Sequence, residues 1–158
     1  MLYATLKAVH LLSIIVWIGG MVFAHFFLRP AAVQLEAPVR IRLMHDVLGR
    51  FFRAVLTASL LTLASGLWML GRVAKQVVQS GGSFEMPLAW TVMAVLGVAM
   101  VAIFMHIRFA LYKKLSRAVA VSEWGAGGAA LAEIRTWVSI NLGLGVVVLL
   151  VTLLRWTA

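Results

Sequence analysis

The sequence contains no cysteine, which excludes disulfides and thiolate metal sites. It is also poor in charge. Only 12% of its 158 residues are Asp, Glu, Lys or Arg, against roughly a quarter in soluble domains. Such a chain cannot cover a water-facing surface with polar groups, so lipid is the expected solvent for much of it. Acids are scarcest: Glu36, Asp46, Glu85, Glu123 and Glu133 are all there are, and each lies in a connection or near a helix end. A proton-coupled transporter usually needs an acid inside the membrane, so these positions argue against that class. No nucleophile triad, phosphate loop or zinc-ligand spacing occurs.

What the chain does have is apolar length, with 63% hydrophobic residues. Four stretches carry no charged residue: Ala8 to Leu28, Ala54 to Gly71, Met86 to Ile107 and Thr136 to Leu154. Each is about long enough to cross some 30 Å of hydrocarbon at ~1.5 Å per residue. Lipid offers a bare backbone no hydrogen bonds, so each stretch is predicted to be a helix. The first carries no small-x-small cleavage site and reads as a retained helix. Arg29-Pro30 is expected to end it, Ser80-Gly81-Gly82-Ser83 to separate the second from the third, and Gly125, Gly127 and Gly128 to interrupt the link before the fourth. The expected fold is all-α, a transmembrane four-helix up-down bundle in one integral membrane domain over residues 1–158. The helices are placed at about 4–28, 46–72, 86–121 and 133–156, the third continuing out of the bilayer past Phe109. Ala54, Ala58, Thr62 and Gly66 form a small-residue stripe on the second helix, suited to close helix approach, and Asn141 and Gly145 share that spacing on the fourth. Trp90, Trp137 and Trp156 sit near helix ends, where indole prefers the lipid–water boundary.

The net charge of +9 does not point to nucleic acid, because the cations lie between apolar runs, where they set topology and meet anionic lipid. Ten of the 14 Lys and Arg residues fall on the side of the first and third connections: Arg29, Arg40, Arg42, Arg50, Arg53, Arg108, Lys113, Lys114, Arg117 and Arg135. Only Lys7, Arg72, Lys75 and Arg155 fall on the other. This asymmetry predicts a bacterial-type inner-membrane protein with both longer connections in the cytoplasm and both termini in the periplasm.

Imidazole is costly in hydrocarbon, and in-membrane histidines usually face the bundle interior. Measured from the helix midpoints, His25 and His106 lie roughly 12 Å and 10 Å toward the cytoplasmic side. They are on the first and third helices, which are diagonal in an up-down bundle, with axes some 13 Å apart if neighbours pack at about 9 Å. A flat macrocycle fits such a gap, so the pair is a candidate for axial ligation of haem b. Val95, Ala99 and Ala102 share the face of His106, and Arg29, Arg53 and Arg108 stand at the adjacent edge as candidates for the propionates. The alternative is a pair of interfacial histidines bonded to carbonyls or lipid. His10 is alone in the other leaflet. It could bond Asn, Thr or a carbonyl, bind a metal or other ligand, or meet its copy in a homodimer. His45, at the expected start of the second helix beside Asp46, reads as a surface residue.

Met86, Met93 and Met100 recur every seven residues, and thioether sulfur suits Cu(I), but their face is about 120–160° from His106 and packing or lipid contact explains them. Trp17 lies on nearly the same face as His10, and the adjacent Gly19-Gly20 could admit a ligand or a helix.

Lys7-Ala-Val-His10, Trp17-Ile-Gly-Gly20 and Leu28-Arg29-Pro30-Ala31, followed by Ala64-Ser-Gly-Leu67, His106-Ile-Arg-Phe, and Arg135 with Asn141-Leu-Gly143, together resemble the copper-resistance D (CopD) membrane family over most of the chain. The plan is also similar to that of the HemJ-type protoporphyrinogen oxidases, whose first-helix and third-helix histidines correspond to His10 and His106. It departs from them at Leu142, where their pattern has an acid. That second resemblance implies haem b. Taken together, these readings lead to a membrane haem b protein that carries single electrons, with a quinol or another reduced species as donor. Copper transport or resistance and a non-catalytic membrane partner are the alternatives.

Overall fold

A computed structural model describes residues 1–154. Arg155 and Trp156, assigned above to the far end of the fourth helix, lie outside the described residues. The chain forms four long helices: α1 (Leu2–Ala32), α2 (Ala37–Gln79), α3 (Leu88–Ala120) and α4 (Trp124–Leu154). All four are long and apolar enough to cross a membrane. Among the described residues there is no strand. This is the all-α, up-down transmembrane bundle that the four charge-free stretches predict.

The breaks come where backbone chemistry forces them. Glu36 is extended and Pro38 opens α2, a position where its missing N–H costs nothing. After α2, Gly81 takes φ +81°, a conformation that a side chain would strain. Pro87 caps α3. The turn before α4 runs through Val121 to Glu123, with Ser122 at φ 58°. Gly125, Gly127 and Gly128 do not form this link. They lie inside α4, and Gly127 lets Ile41 of α2 come within 3.0 Å of where a Cβ would stand.

Arg29-Pro30 does not stop α1 either. The helix passes through a π-helical turn at Ala24–Leu28 and continues to Ala32. This wide turn ends two residues before Pro30, whose ring clashes with an ordinary α register and whose nitrogen cannot donate. A second π turn, Ile107–Leu111, follows His106 in α3, with no proline to account for it. Such turns concentrate at functional sites, and each of these begins within a residue of a histidine.

α1 packs mainly along α2 and α3 along α4, with α4 also touching α1 and α2. The expected diagonal gap between α1 and α3 is filled by rings: Trp17 meets Phe104 edge-on at 6.1 Å, and Phe104 meets Phe52 at 6.1 Å. On α4, Asn141 and Gly145 are both buried, and a methyl group on Gly145 would meet Ile18 of α1 at 3.1 Å and Met100 of α3 at 3.2 Å.

At 43 residues α2 runs for about 65 Å, roughly twice the hydrocarbon thickness. Its first part, carrying Arg40, Arg42, Asp46, Arg50 and Arg53, therefore projects beyond the apolar layer. It meets the basic tail of α3 and the first turns of α4 there. Ile41, Leu48 and Phe52 bury against Ile107, Leu111, Leu115 and Ile134 to form a helical cap. The cation-rich end is thus the best-packed part of the chain, while the other half presents apolar side chains outward.

Candidate functional site

The four histidines occupy four separate environments. On α1, His10 is half-buried against α2. Its Nδ1 lies 3.0 Å from the Thr62 carbonyl oxygen and 3.0 Å from Ser65 Oγ. A carbonyl can only accept, so Nδ1 carries the proton and donates. Ser65 uses its own proton on the Leu61 carbonyl and can accept from His10 as well. In the neutral ring this leaves the lone pair on Nε2. Gly66 gives the imidazole its seat: a Cβ there would stand 3.2 Å from His10 Cε1. Among the described residues, the neighbouring buried Thr62 Oγ1 has no hydrogen-bond partner. Within the bundle, Nδ1 of His10 thus meets a backbone carbonyl and a serine hydroxyl of α2. Of the small-residue stripe Ala54, Ala58, Thr62 and Gly66, the last two meet His10 of α1 and Ala58 is buried, while Ala54 is exposed.

His25 sits at the start of the first π turn. Its ring packs on Phe26 at 4.8 Å, and Ser139 Oγ of α4 lies 3.4 Å from Nδ1. His106 precedes the second π turn. It is exposed and packs edge-on against Trp137 of α4 at 5.2 Å. Both rings therefore rest on α4, but Trp137 and Ser139 are two residues apart, about 200° around a helix. The two imidazoles lie on opposite flanks of α4 and are not brought together across a shared gap. The small face expected to leave room beside His106 looks outward, with Val95 62% exposed. Phe104 and Ile107 take the interior positions instead.

His45 is well inside α2, which starts at Ala37. It is stacked on Tyr112 at 5.2 Å, with Nε2 3.1 Å from Ser116 Oγ and Nδ1 3.1 Å from Asp46. It ties α2 to α3 within the cap.

The three arginines proposed for propionates are also divided. Arg53 and Arg108 border a shallow depression with Asp46, Arg50 and Tyr112, and the Arg108 guanidinium lies 5.3 Å over the Tyr112 ring. Arg29 lines a different space, a cleft of about 300 Å³ between α1, α2 and α4. His25, Arg40 and Arg135 line that cleft too, over an apolar floor that includes Met44 and Val138. Sequence reasoning placed Arg40 and Arg135 on the basic side without seeing that they converge with Arg29. The spacing from Arg29 to Arg135 gives no signal of it, because only the packing of α4 beside α1 makes them neighbours.

Among the described residues, no three of His, Asp and Glu gather as a metal-binding group. The methionines are dispersed: Met100 is 5% exposed in the core, whereas Met86 is 37% exposed ahead of α3. Trp17 is buried in the interior, and Gly20 on α1 admits the ring of Phe51 from α2, a neighbouring helix rather than a ligand.

The copper resistance protein D family profile matches residues 45–155. The chain belongs to the copper resistance protein D family. No curated protein and no solved structure matches it significantly. The matched region takes in α2 from His45 onward, α3 and α4, with His106 and Asn141, while His10 and His25 precede it on α1.

Proposed function

We propose that this membrane protein holds haem b through Nε2 of His10 and carries single electrons in a bacterial-type inner membrane, with both termini periplasmic. The observation that carries this reading is the anchored Nδ1–H of His10 on the Thr62 carbonyl. Metal-ligating histidines ordinarily donate their other ring nitrogen in this way, which fixes the tautomer and raises the basicity of the ligating nitrogen. What supports the reading is an imidazole of fixed tautomer within an apolar bundle, packed on Gly66, with Lys7 and Arg72 toward the same end for anionic groups. Haem would supply an iron that accepts and releases one electron, with a quinol or another reduced membrane species as donor. The role of the protein residues is to orient and exclude. Thr62 and Ser65 hold the imidazole, and the α1–α2 contact keeps water from its Nδ1 edge. His25 and His106 are less suited to share one iron, since α4 stands between their rings.

Copper handling is a second reading, favoured by the family description. A dedicated copper cage fits the residues poorly, because there is no thiol and the methionines and histidines are scattered. A single imidazole at His10 is what the chain offers copper. Absorbance and metal analysis of the protein purified from membranes test the choice. A Soret band with sharp α and β bands on reduction is expected. Stoichiometric copper without those bands would overturn the haem reading in favour of copper.

A further inference from the structure

The cleft at the cation-rich end collects three guanidiniums from three helices: Arg29 from α1, Arg40 from α2 and Arg135 from α4. His25 joins them, and among the described residues no carboxylate lines the space. Arg29 and Arg135 line the same cleft from adjacent helices. The nearby acids do not neutralise them. Glu133 is bound to Lys114 at 3.0 Å, Asp46 is paired with His45, and Glu36 is exposed outside the cleft. Among the described residues, none of the three arginines is in an ion pair. Gathering like charges over an apolar floor is unfavourable unless an anion completes the set.

The depth of the cleft limits what that anion is. Arg29 directly follows the charge-free stretch of α1, and Arg135 directly precedes that of α4. Both therefore mark the boundary between hydrocarbon and the basic cap, the level at which phospholipid phosphates lie. The floor, with Met44 and Val138, is apolar. The site is thus cationic at headgroup level and apolar beneath, and it opens on the leaflet that the charge asymmetry assigns to the cytoplasm. Basic pockets between transmembrane helices on that side suit phosphate headgroups, and guanidinium pairs with phosphate through two parallel hydrogen bonds.

We propose that this cleft binds the phosphodiester headgroup of an anionic phospholipid, with a two-phosphate lipid of the cardiolipin type as the best match for three convergent arginines. This is independent of the haem reading, since His10 lies at the opposite end of α1.

The test is native mass spectrometry of the full chain in detergent, titrated with cardiolipin and with zwitterionic phosphatidylethanolamine. The unmodified protein is expected to retain one cardiolipin and to show no comparable retention of the zwitterionic lipid. The double substitution Arg40→Gln, Arg135→Gln should weaken cardiolipin binding about ten-fold or more, the scale of losing charge-assisted hydrogen bonds. Arg50→Gln with Arg53→Gln removes the same charge outside the cleft and should leave binding within about two-fold on the same reasoning. Equal losses in both double variants, or unchanged binding in the first, would overturn the proposal. Arg135→Lys covers the case in which the glutamine pair fails to fold. It keeps the charge but not the bidentate geometry, so intermediate binding is expected and unaltered binding would count against the site. Inorganic phosphate is the last arm. If it raises the unfolding temperature as much as the lipid does, through the same arginines, a free phosphate is the ligand and the lipid assignment falls. Haem content is expected to be the same in all variants, so the two readings fail separately.

Discussion

Asn141 is the sharpest place to perturb the bundle. It is 1% exposed on α4, and its Oδ1 has no hydrogen-bond partner among the described residues. A buried acceptor left unmade costs about 1–3 kcal/mol in proteins. The cost is smaller when the unfolded reference is also in lipid, where measured interhelical hydrogen bonds average about 0.6 kcal/mol. Leucine has the same branching and the same number of side-chain heavy atoms as asparagine. Asn141→Leu should therefore remove the polar penalty without opening a hole and stabilise the protein by roughly 0.5–1.5 kcal/mol. For a chain of this size that is a rise of about 1–6 °C in unfolding temperature. The assay is thermal unfolding in detergent, followed by helical circular dichroism and by tryptophan fluorescence. Trp17 lies in the same core, so the fluorescence reports local loosening. A fall in unfolding temperature would refute the reasoning, because it would mean that Oδ1 has a partner in the native protein and that the amide is holding something. Asn141→Asp supplies the opposite sign: a carboxylate buried there faces no cation and should destabilise strongly.

Both termini are expected outside the cytoplasm, so a phosphatase fusion at the C-terminus should be active and a cytoplasm-dependent reporter silent; the reverse pattern would overturn the topology. Replacing Met86, Met93 and Met100 together with leucine should leave bound metal unchanged, since Met100 packs in the core while Met86 is exposed, and the swap should cost no more than about 1.5 kcal/mol per buried site. A drop in bound copper would place the metal on that stripe. Phe52→Ala should destabilise by about 3–5 kcal/mol in the same unfolding assay, because Phe52 is 1% exposed and its ring contacts Phe51, Phe104 and Tyr112; a loss under 1 kcal/mol, far below the usual cost of such a cavity, would show that the cap adds little to stability.

The four spans were legible because a charge-free run of membrane length has almost no alternative to helix. The close approach of α1 and α2 was legible in part for a related reason: Thr62 and Gly66 offer no bulk where His10 of α1 packs, although Ala54 of the same stripe is exposed. The positions of individual side chains around the helices were not. The π turns at Ala24–Leu28 and Ile107–Leu111 shift the angular register of the residues that follow them, whereas His106 lies in regular α-helix and owes its facing to how α3 packs. An estimate at 100° per residue carries no knowledge of such turns. Depth along the helix survived better than azimuth, since rise accumulates evenly whereas facing depends on which neighbour packs where. That is why His25 and His106 could be matched in level and still end on opposite flanks of α4. The glycines of α4 misled in another way. Gly125, Gly127 and Gly128 read as a loop by composition, yet Gly127 is a point of close helix contact that only Ile41 reveals. The basic cleft stayed hidden because its arginines come from three helices and share no local motif.

The most direct measurement is the reduced-minus-oxidised absorbance spectrum of the purified protein, compared among His10→Ala, His25→Ala, His106→Ala and His45→Ala. Among the described residues, only His10 has its Nδ1 proton committed to a backbone carbonyl, which leaves Nε2 to bind. His10→Ala should lose the haem bands, and imidazole added to that variant should restore part of them. His25→Ala, His106→Ala and His45→Ala should each keep the bands. Retention of the full spectrum by His10→Ala, with loss in both His25→Ala and His106→Ala, would contradict the account and return the cofactor to the cytoplasmic end.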